Sequence, residues 1–185
     1  MDHPPEITGH LRRPLRTDIT RVHALVTESL DQLSPWLDWC ADGYDLASAT
    51  TFLDYADAGW LTGQAYTYAI TDGGEVVGMC GLERRIGPLG LEIGYWLGRD
   101  HVGRGLASGS VATLLPVAFG LPGINRVQIW HDSANVRSGA VPARLGFTEI
   151  DRRTPPRDPL TSGEDGVDVV WQLTRDQFTA RSRSS

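Results

Sequence analysis

Apolar and polar positions along the chain change period several times, and each change marks an element. In "HLRRPLRTDI", residues 10–19, apolar and basic residues alternate and then meet Asp18. This predicts a strand and then a helix capped by the Asp18 carboxylate. Ile19, Val22, Leu25 and Val26 follow at helical spacing, so one face of that helix packs inward. "SPWLDWCADGYDLAS" has no clean period and reads as a loop with short helical turns. "SATTFLDYADAGWLTG" reads as a second helix that stops at Gly59 or Gly63.

Strand periods come next. "QAYTYAIT" alternates, "DGGE" is a turn signal and "VVGMCGLERR" returns, which together predict a hairpin. After "GPLG", another turn, "LEIGYWL" is a third strand. In "GLASGSVATLLPVAFG", Leu106, Val111, Leu114, Leu115 and Ala118 predict a mostly buried helix that Pro116 kinks or ends early. "NRVQIW" is a strand, "SGAVPARLG" a short helix, and "FTEIDRR" and "GVDVVWQLT" are the last two strands. Residues 154–166, "TPPRDPLTSGEDG", are rich in proline and glycine and predict an exposed, mobile loop. Residues 180–185 read as a frayed tail. With no repeat and no linker, residues 1–185 read as one mixed α/β domain with a central sheet.

A chain of 185 residues is long enough to bury one core. The formal net charge of −6 and pI near 5.3 argue against a nucleic-acid partner, which needs a basic stripe. They suit an amine-bearing one. Cys40 and Cys80 lack metal-ligand spacing, and two buried thiols in a reducing compartment are expected. The polar start "MDHPPEITGH" carries no apolar signal segment and no run reaches the ~18 apolar residues of a span. A cytoplasmic protein with no membrane partner and no metal is expected.

The candidate chemistry sits in "EIGYWLGRDHVGRGLASGS", Glu92–Ser110. A strand there turns through Gly103 and Gly105 into a helix. The first amides of a helix lack intrahelical partners and its dipole adds positive potential, so the turn suits phosphate. Arg104 is placed to add a charged contact. The Walker A lysine is missing, and Ser108 stands where a dinucleotide fingerprint needs a third glycine.

Several ordered segments together resemble the GNAT N-acetyltransferase superfamily, and within it the RimJ/RimL-like branch. These are "LRRPLRTDI", "SPWLDW", "EIGYWLGRDHVGRGLA", "NVRSGAVPARLGF" and "DVVWQLT". The resemblance covers most of the chain. It implies a single domain of α/β (α+β) class, with a central, mostly antiparallel twisted sheet of about seven strands flanked by about four helices. It implies acetyl-CoA as cofactor. The family signature falls on Val102, Gly103, Arg104, Gly105, Leu106 and Ala107, with Ser108 beside it, and Val102 departs from the usual Gln or Arg. The strand backbone at Tyr95, Trp96 and Leu97 is implied to run along the pantetheine arm, and Asn135 and Ser138 to lie near the sulfur. Trp36, Trp39 and Tyr44 correspond to the acceptor wall.

The reaction this implies is acetyl transfer to a primary amine by direct attack, the amine being a protein or peptide N-terminus or a small molecule such as an antibiotic. An attacking amine must be neutral, so a proton acceptor is needed. Glu92 is the first candidate, with His131 and a water chain as alternatives. Ser138 is the candidate donor to the sulfur, and a helix cap on the bland reading. A tyrosine common in the family one turn later is replaced here by Pro142. Two other readings stay open. One is a different acyl donor such as succinyl-CoA, with Arg84 and Arg85 on its carboxylate. The other is a CoA-binding regulatory module without turnover. A monomer or homodimer is expected.

Overall fold

A computed structural model describes Pro4, Ile7 and residues 9–182. Seven strands form one sheet: β1 (Leu11–Arg12), β2 (Ala65–Asp72), β3 (Glu75–Glu83), β4 (Gly90–Leu97), β5 (Arg126–Asp132), β6 (Thr148–Arg153) and β7 (Asp168–Thr174). Their spatial order is β1-β2-β3-β4-β5-β7-β6, antiparallel at every junction except the parallel pair β4–β5. A parallel pair needs a crossover, and the helix α4 described below supplies it.

The described residues hold six α-helices rather than about four: α1 (Ile19–Glu28), α2 (Leu30–Leu33), α3 (Leu46–Thr62), α4 (Leu106–Gly120), α5 (Val136–Arg144) and α6 (Arg175–Ser182). Two cores lie on opposite faces of the sheet. Leu82, Leu91, Ile93 and Ile129 pack with Val111 and Leu114 of α4. Ala69, Val76 and Met79 pack with Val22, Val26 and Ala49 of α1 and α3. Alternate residues of each strand thus feed alternate layers. Helix α3 begins at Asp45, whose carboxylate accepts from the Ser48 amide at 2.7 Å, and ends at Gly63 with φ of 70°.

Four local expectations are corrected. Asp18 does not cap α1. Its oxygens face backward, accepting from both Arg12 guanidinium nitrogens at 2.7 and 2.8 Å and from the Leu15 amide at 2.8 Å. A bidentate ion pair outcompetes a single helix amide. Pro116 does not end α4, which runs on to Gly120. The hydrogen bond lost at Pro116 belongs to the Ala112 carbonyl, and both residues face solvent, so water can serve the carbonyl while the opposite face stays packed.

The segment 154–166 is a loop, but it is tied down. The Asp132 carboxylate accepts from the amides of Asp165, Gly166 and Val167 at 2.8–3.0 Å, and the Thr161 hydroxyl and Gly163 amide donate to the Pro35 carbonyl. Residues 180–182 of the expected tail continue α6, and 183–185 lie outside the described residues. The signal for α6 was a Thr-x-x-Gln capping box: the Thr174 amide donates to Gln177 Oε1 at 2.8 Å and the Gln177 amide to Thr174 Oγ1 at 3.3 Å. Phe178 then stacks on Phe119 with ring centres 5.0 Å apart.

Candidate functional site

The site originates in an interrupted pairing. β4 and β5 are in register only over Gly90–Glu92 and Arg126–Gln128, yet β4 continues to Leu97 and β5 to Asp132. Past Glu92 the two strands diverge, and a cleft of about 1440 Å³ opens between and above them. It is lined by Glu92, Tyr95, Trp96 and Leu97 of β4, by Asn135 and Ser138 of α5, and by Trp36, Trp39 and Tyr44 from the segment between α2 and α3. Val102, Gly103, Gly105, Leu106, Ala107 and Ser108 line it from the other end.

At that end the chain leaves β4, makes one 3-10 turn over Arg99–His101 and enters α4 through Gly103 and Gly105, with φ of 75° and 79°. Gly105 is the residue before α4 and no side chain caps the helix. Its first amides are therefore left for another acceptor. A Cβ built on either glycine would meet nothing within 4 Å, so the space beside the turn is open.

Arg104 alone among the residues marked for the cleft turns elsewhere. Its guanidinium pairs with Asp72 at 2.8 Å and lies 3.4 Å from His101 Nδ1. The cationic side chains that line the cleft from α5 are Arg137 and Arg144, with Arg144 donating to Ser108 Oγ at 2.9 Å. The sequence carried that signal, since residues seven apart share a helix face.

On α5, Asn135 rather than Ser138 is the cap: its side-chain oxygen accepts from the Ser138 amide at 3.1 Å. Ser138 sits in the first turn, with the Tyr95 hydroxyl donating to its carbonyl at 2.9 Å and lying 3.3 Å from its Oγ. His131 is held on both nitrogens. Nδ1 donates to the Asp132 carbonyl at 2.7 Å, and Nε2 accepts from the Trp171 indole at 3.0 Å. Burial lowers its pKa, against raising contributions from the Asp132 backbone and carboxylate. It also packs under α5, where a Cβ on Gly139 would come within 2.6 Å of Nε2. A neutral histidine with both nitrogens engaged is a packing residue.

Glu92 stands at the last β4–β5 pair and is 8% exposed. Arg157, from the tied loop, clamps it with bonds of 2.8 and 3.0 Å to its two oxygens. Arg157 lies over the Trp130 ring at 4.2 Å. Arg85 approaches Glu92 at 3.5 Å and pairs with Asp158 at 2.7 Å. Glu92 is thus an ion-pair partner here, not an unengaged carboxylate. Nothing at Glu92 forecast Arg157, which is 65 residues away. The same contacts commit Arg85 to carboxylates, and Arg84 donates to the Gly63 carbonyl at 3.0 Å. Arg84 does not line the cleft, and Arg85 does so already paired with carboxylates.

The aromatic wall is continuous. Trp39 meets Tyr44 edge-on at 5.5 Å and Trp96 at 5.8 Å. Burial pushes the Tyr44 phenol up to about 12, so it stays protonated. Asp38, Asp45, Glu83, Asp158 and Glu164 line the cleft around this end. One end of the cleft thus offers helix amides and the arginines of α5, and the other offers rings and carboxylates, with Arg85 and Arg157 paired among them.

This splayed sheet and cleft belong to a known family. The family model described as "Acetyltransferase (GNAT) domain" matches residues 10–148. The Bacillus subtilis (strain 168) protein named "Putative ribosomal N-acetyltransferase YdaF" is 30% identical over 149 residues, covering 77% of this chain and 78% of that protein. The chain belongs to the GNAT acetyltransferase family.

Solved structures share the fold. The ribosomal L7/L12 alpha-N-protein acetyltransferase RimL, in complex with coenzyme A, superposes with a TM-score of 0.81 at 22% identity, over 92% of this chain and 97% of that one. The microcin C7 self-immunity acetyltransferase MccE, in complex with acetyl-CoA and AMP, gives 0.80 at 18% identity, over 89% and 91%.

Proposed function

We propose that this chain transfers an acetyl group from acetyl-CoA to a primary amine, with the free N-terminus of a protein or peptide as the acceptor class. The observation that carries this is the divergence of β4 from β5 between an uncapped helix N-terminus and an aromatic, carboxylate-lined end. The acceptor class draws on the names of the relatives, YdaF and RimL. Among the described residues no helix is long and apolar enough to cross a membrane; a cytoplasmic setting is part of this proposal.

The residues fit such a cofactor. The open space at Gly103 and Gly105 lets phosphate oxygens approach the amides of Leu106, Ala107 and Ser108, with Arg137 and Arg144 as cations. The backbone of Tyr95, Trp96 and Leu97 offers edge groups to an extended arm, as an added strand would use them. Asn135 and Ser138 border the same channel. Acetyl-CoA supplies an acyl carbonyl activated as a thioester. The chain holds the acceptor against the Trp36, Trp39 and Tyr44 wall, where carboxylates favour a cationic amine, and Ser138 offers a proton toward the sulfur. Glu92 takes the amine proton directly or through water, once the incoming ammonium competes with Arg157 for it.

Calorimetric titration with acetyl-CoA, with succinyl-CoA as comparator, tests the cofactor. Tight acetyl-CoA binding is expected, and binding of neither ligand would overturn the proposal. Glu92→Gln is expected to lower kcat at pH 7 by about 10- to 100-fold with acetyl-CoA affinity unchanged, read as thiol release with peptides bearing a free N-terminal serine or alanine. Wild-type turnover would remove Glu92 as proton acceptor. An equal loss in Arg157→Gln would assign the effect to the loop anchor instead.

A further inference from the structure

Helix α5 contains Pro142. Proline has no N–H, so the bond that residue 142 would make to the carbonyl four residues earlier is missing. That carbonyl belongs to Ser138. It does not go without a donor: the Tyr95 hydroxyl, arriving from β4, donates to it at 2.9 Å. Tyr95 lies three residues beyond the last β4–β5 pair, so this bond crosses the cleft where strand pairing has ended. The tie joins one wall of the cofactor channel to the other.

The same phenol reaches the Ser138 side chain. Tyr95 Oη and Ser138 Oγ are 3.3 Å apart. The single phenolic proton is engaged at the carbonyl, so Oη presents a lone pair to the serine, and the serine hydroxyl donates to it. At 3.3 Å that bond is longer than the ~2.7–2.8 Å of a good O–H···O contact, so it gives the hydroxyl a resting direction without holding it strongly. Burial pushes the Tyr95 phenol up to about 12, and the Ser138 hydrogen bond opposes the shift only in part. The phenol therefore stays a donor at neutral pH.

We propose that Tyr95 is a positioning residue for Ser138: it takes over the helix bond that Pro142 deletes, fixes the first turn of α5 against β4, and so holds Ser138 Oγ at the channel wall, its proton resting on Tyr95 until an acceptor in the channel takes it. This rests on Ser138 acting as the donor toward the sulfur. In the family a tyrosine of the helix itself is common where Pro142 stands. Here the proline frees a carbonyl, and the freed carbonyl recruits a tyrosine from the facing strand.

Tyr95→Phe removes only the hydroxyl and is the decisive variant. In the free protein, amide exchange at Gly139 and Ala140 is expected to speed up by about fivefold or more as the first turn of α5 loosens. The melting temperature is expected to fall by about 2–4 °C, the effect of one hydrogen bond in a chain of this size. With acetyl-CoA and an N-terminal serine peptide, kcat is expected to fall about tenfold while acetyl-CoA affinity stays within twofold. In a Ser138→Ala background, Tyr95→Phe is expected to add less than a twofold loss in kcat, because its effect runs through that serine. Pro142→Ala restores a helix N–H to the Ser138 carbonyl, and in that background the exchange effect of Tyr95→Phe is expected to vanish.

Unchanged exchange in Tyr95→Phe would overturn the tie. Wild-type kcat in Tyr95→Phe, or a full multiplicative loss in the Ser138→Ala background, would overturn the positioning role. Wild-type kcat in Ser138→Ala alone would instead remove the donor role of Ser138 and the proposal with it.

Discussion

Gly105→Val is expected to weaken acetyl-CoA binding by about 100-fold or more, with the fold retained. Gly105 holds a φ of 79° immediately before α4, and nothing lies within 4 Å of the place a Cβ would take. The added atoms therefore meet no neighbour in the protein, and what they obstruct is the open space beside the turn. A β-branched side chain there fills the approach to the helix amides. It also resists the left-handed conformation, at about 1–2 kcal/mol, and relaxing that strain would reorient the amides of Leu106 and Ala107. The melting temperature should fall by only about 2–8 °C for that strain. Calorimetry against acetyl-CoA checks the prediction. Wild-type affinity would show that the phosphates bind elsewhere, with Arg137 and Arg144 as the next place to look.

Asp132→Ala is expected to cost about 3–5 kcal/mol, lowering the melting temperature by roughly 6–20 °C. Asp132 is 5% exposed, and its carboxylate accepts from the amides of Ala134, Asp165, Gly166 and Val167. It closes the end of β5 and holds the loop that delivers Arg157 to Glu92. Removing it leaves buried amides without an acceptor. Thermal unfolding and amide exchange at 165–167 both report this, and a loss below about 1 kcal/mol would mean that the loop is anchored chiefly by Arg157 and Thr161.

The pH dependence follows from the same contacts. Burial pushes the Asp132 carboxyl up, but its four backbone N–H donors together outweigh burial and hold it below the usual range. A depressed carboxylate contributes stability at pH above its unfolded value of about 4 and loses that contribution as pH falls through the folded value. The stability gap between wild type and Asp132→Asn should therefore be full at neutral pH and shrink as the pH drops below about 4. A gap that stayed constant through that range would contradict the account.

Much of the fold was written locally. The hairpin of β2 and β3 follows from alternation interrupted by two glycines, α3 from an aspartate cap and a terminal glycine, and the turn into α4 from two glycines between a strand and a helix. Each depends on neighbours within a few residues, where chain geometry leaves few choices. The capping box of α6 was equally local and legible, and so was the pairing of Arg137 with Arg144 on one face of α5.

What an element does with its side chains was harder to read. Asp18 had the position of a cap and became the partner of Arg12 instead. Arg104 had the position of a phosphate ligand and turned to Asp72. In both cases a nearby opposite charge outcompeted the dipole of a helix end.

By itself, the sequence determined the order of the strands and of the longer helices, the glycine turn into α4 and most of the residues that border the cleft, because period, capping and backbone freedom act over short range. Only the tertiary structure decided that Glu92 is clamped by Arg157, that His131 is occupied on both nitrogens, that the acidic loop is strapped across the molecule, and that the vacancy left by Pro142 is filled by Tyr95. Those outcomes depend on which groups meet after segments 40 to 65 residues apart are brought side by side, since an ion pair or hydrogen bond acts only over a few ångströms.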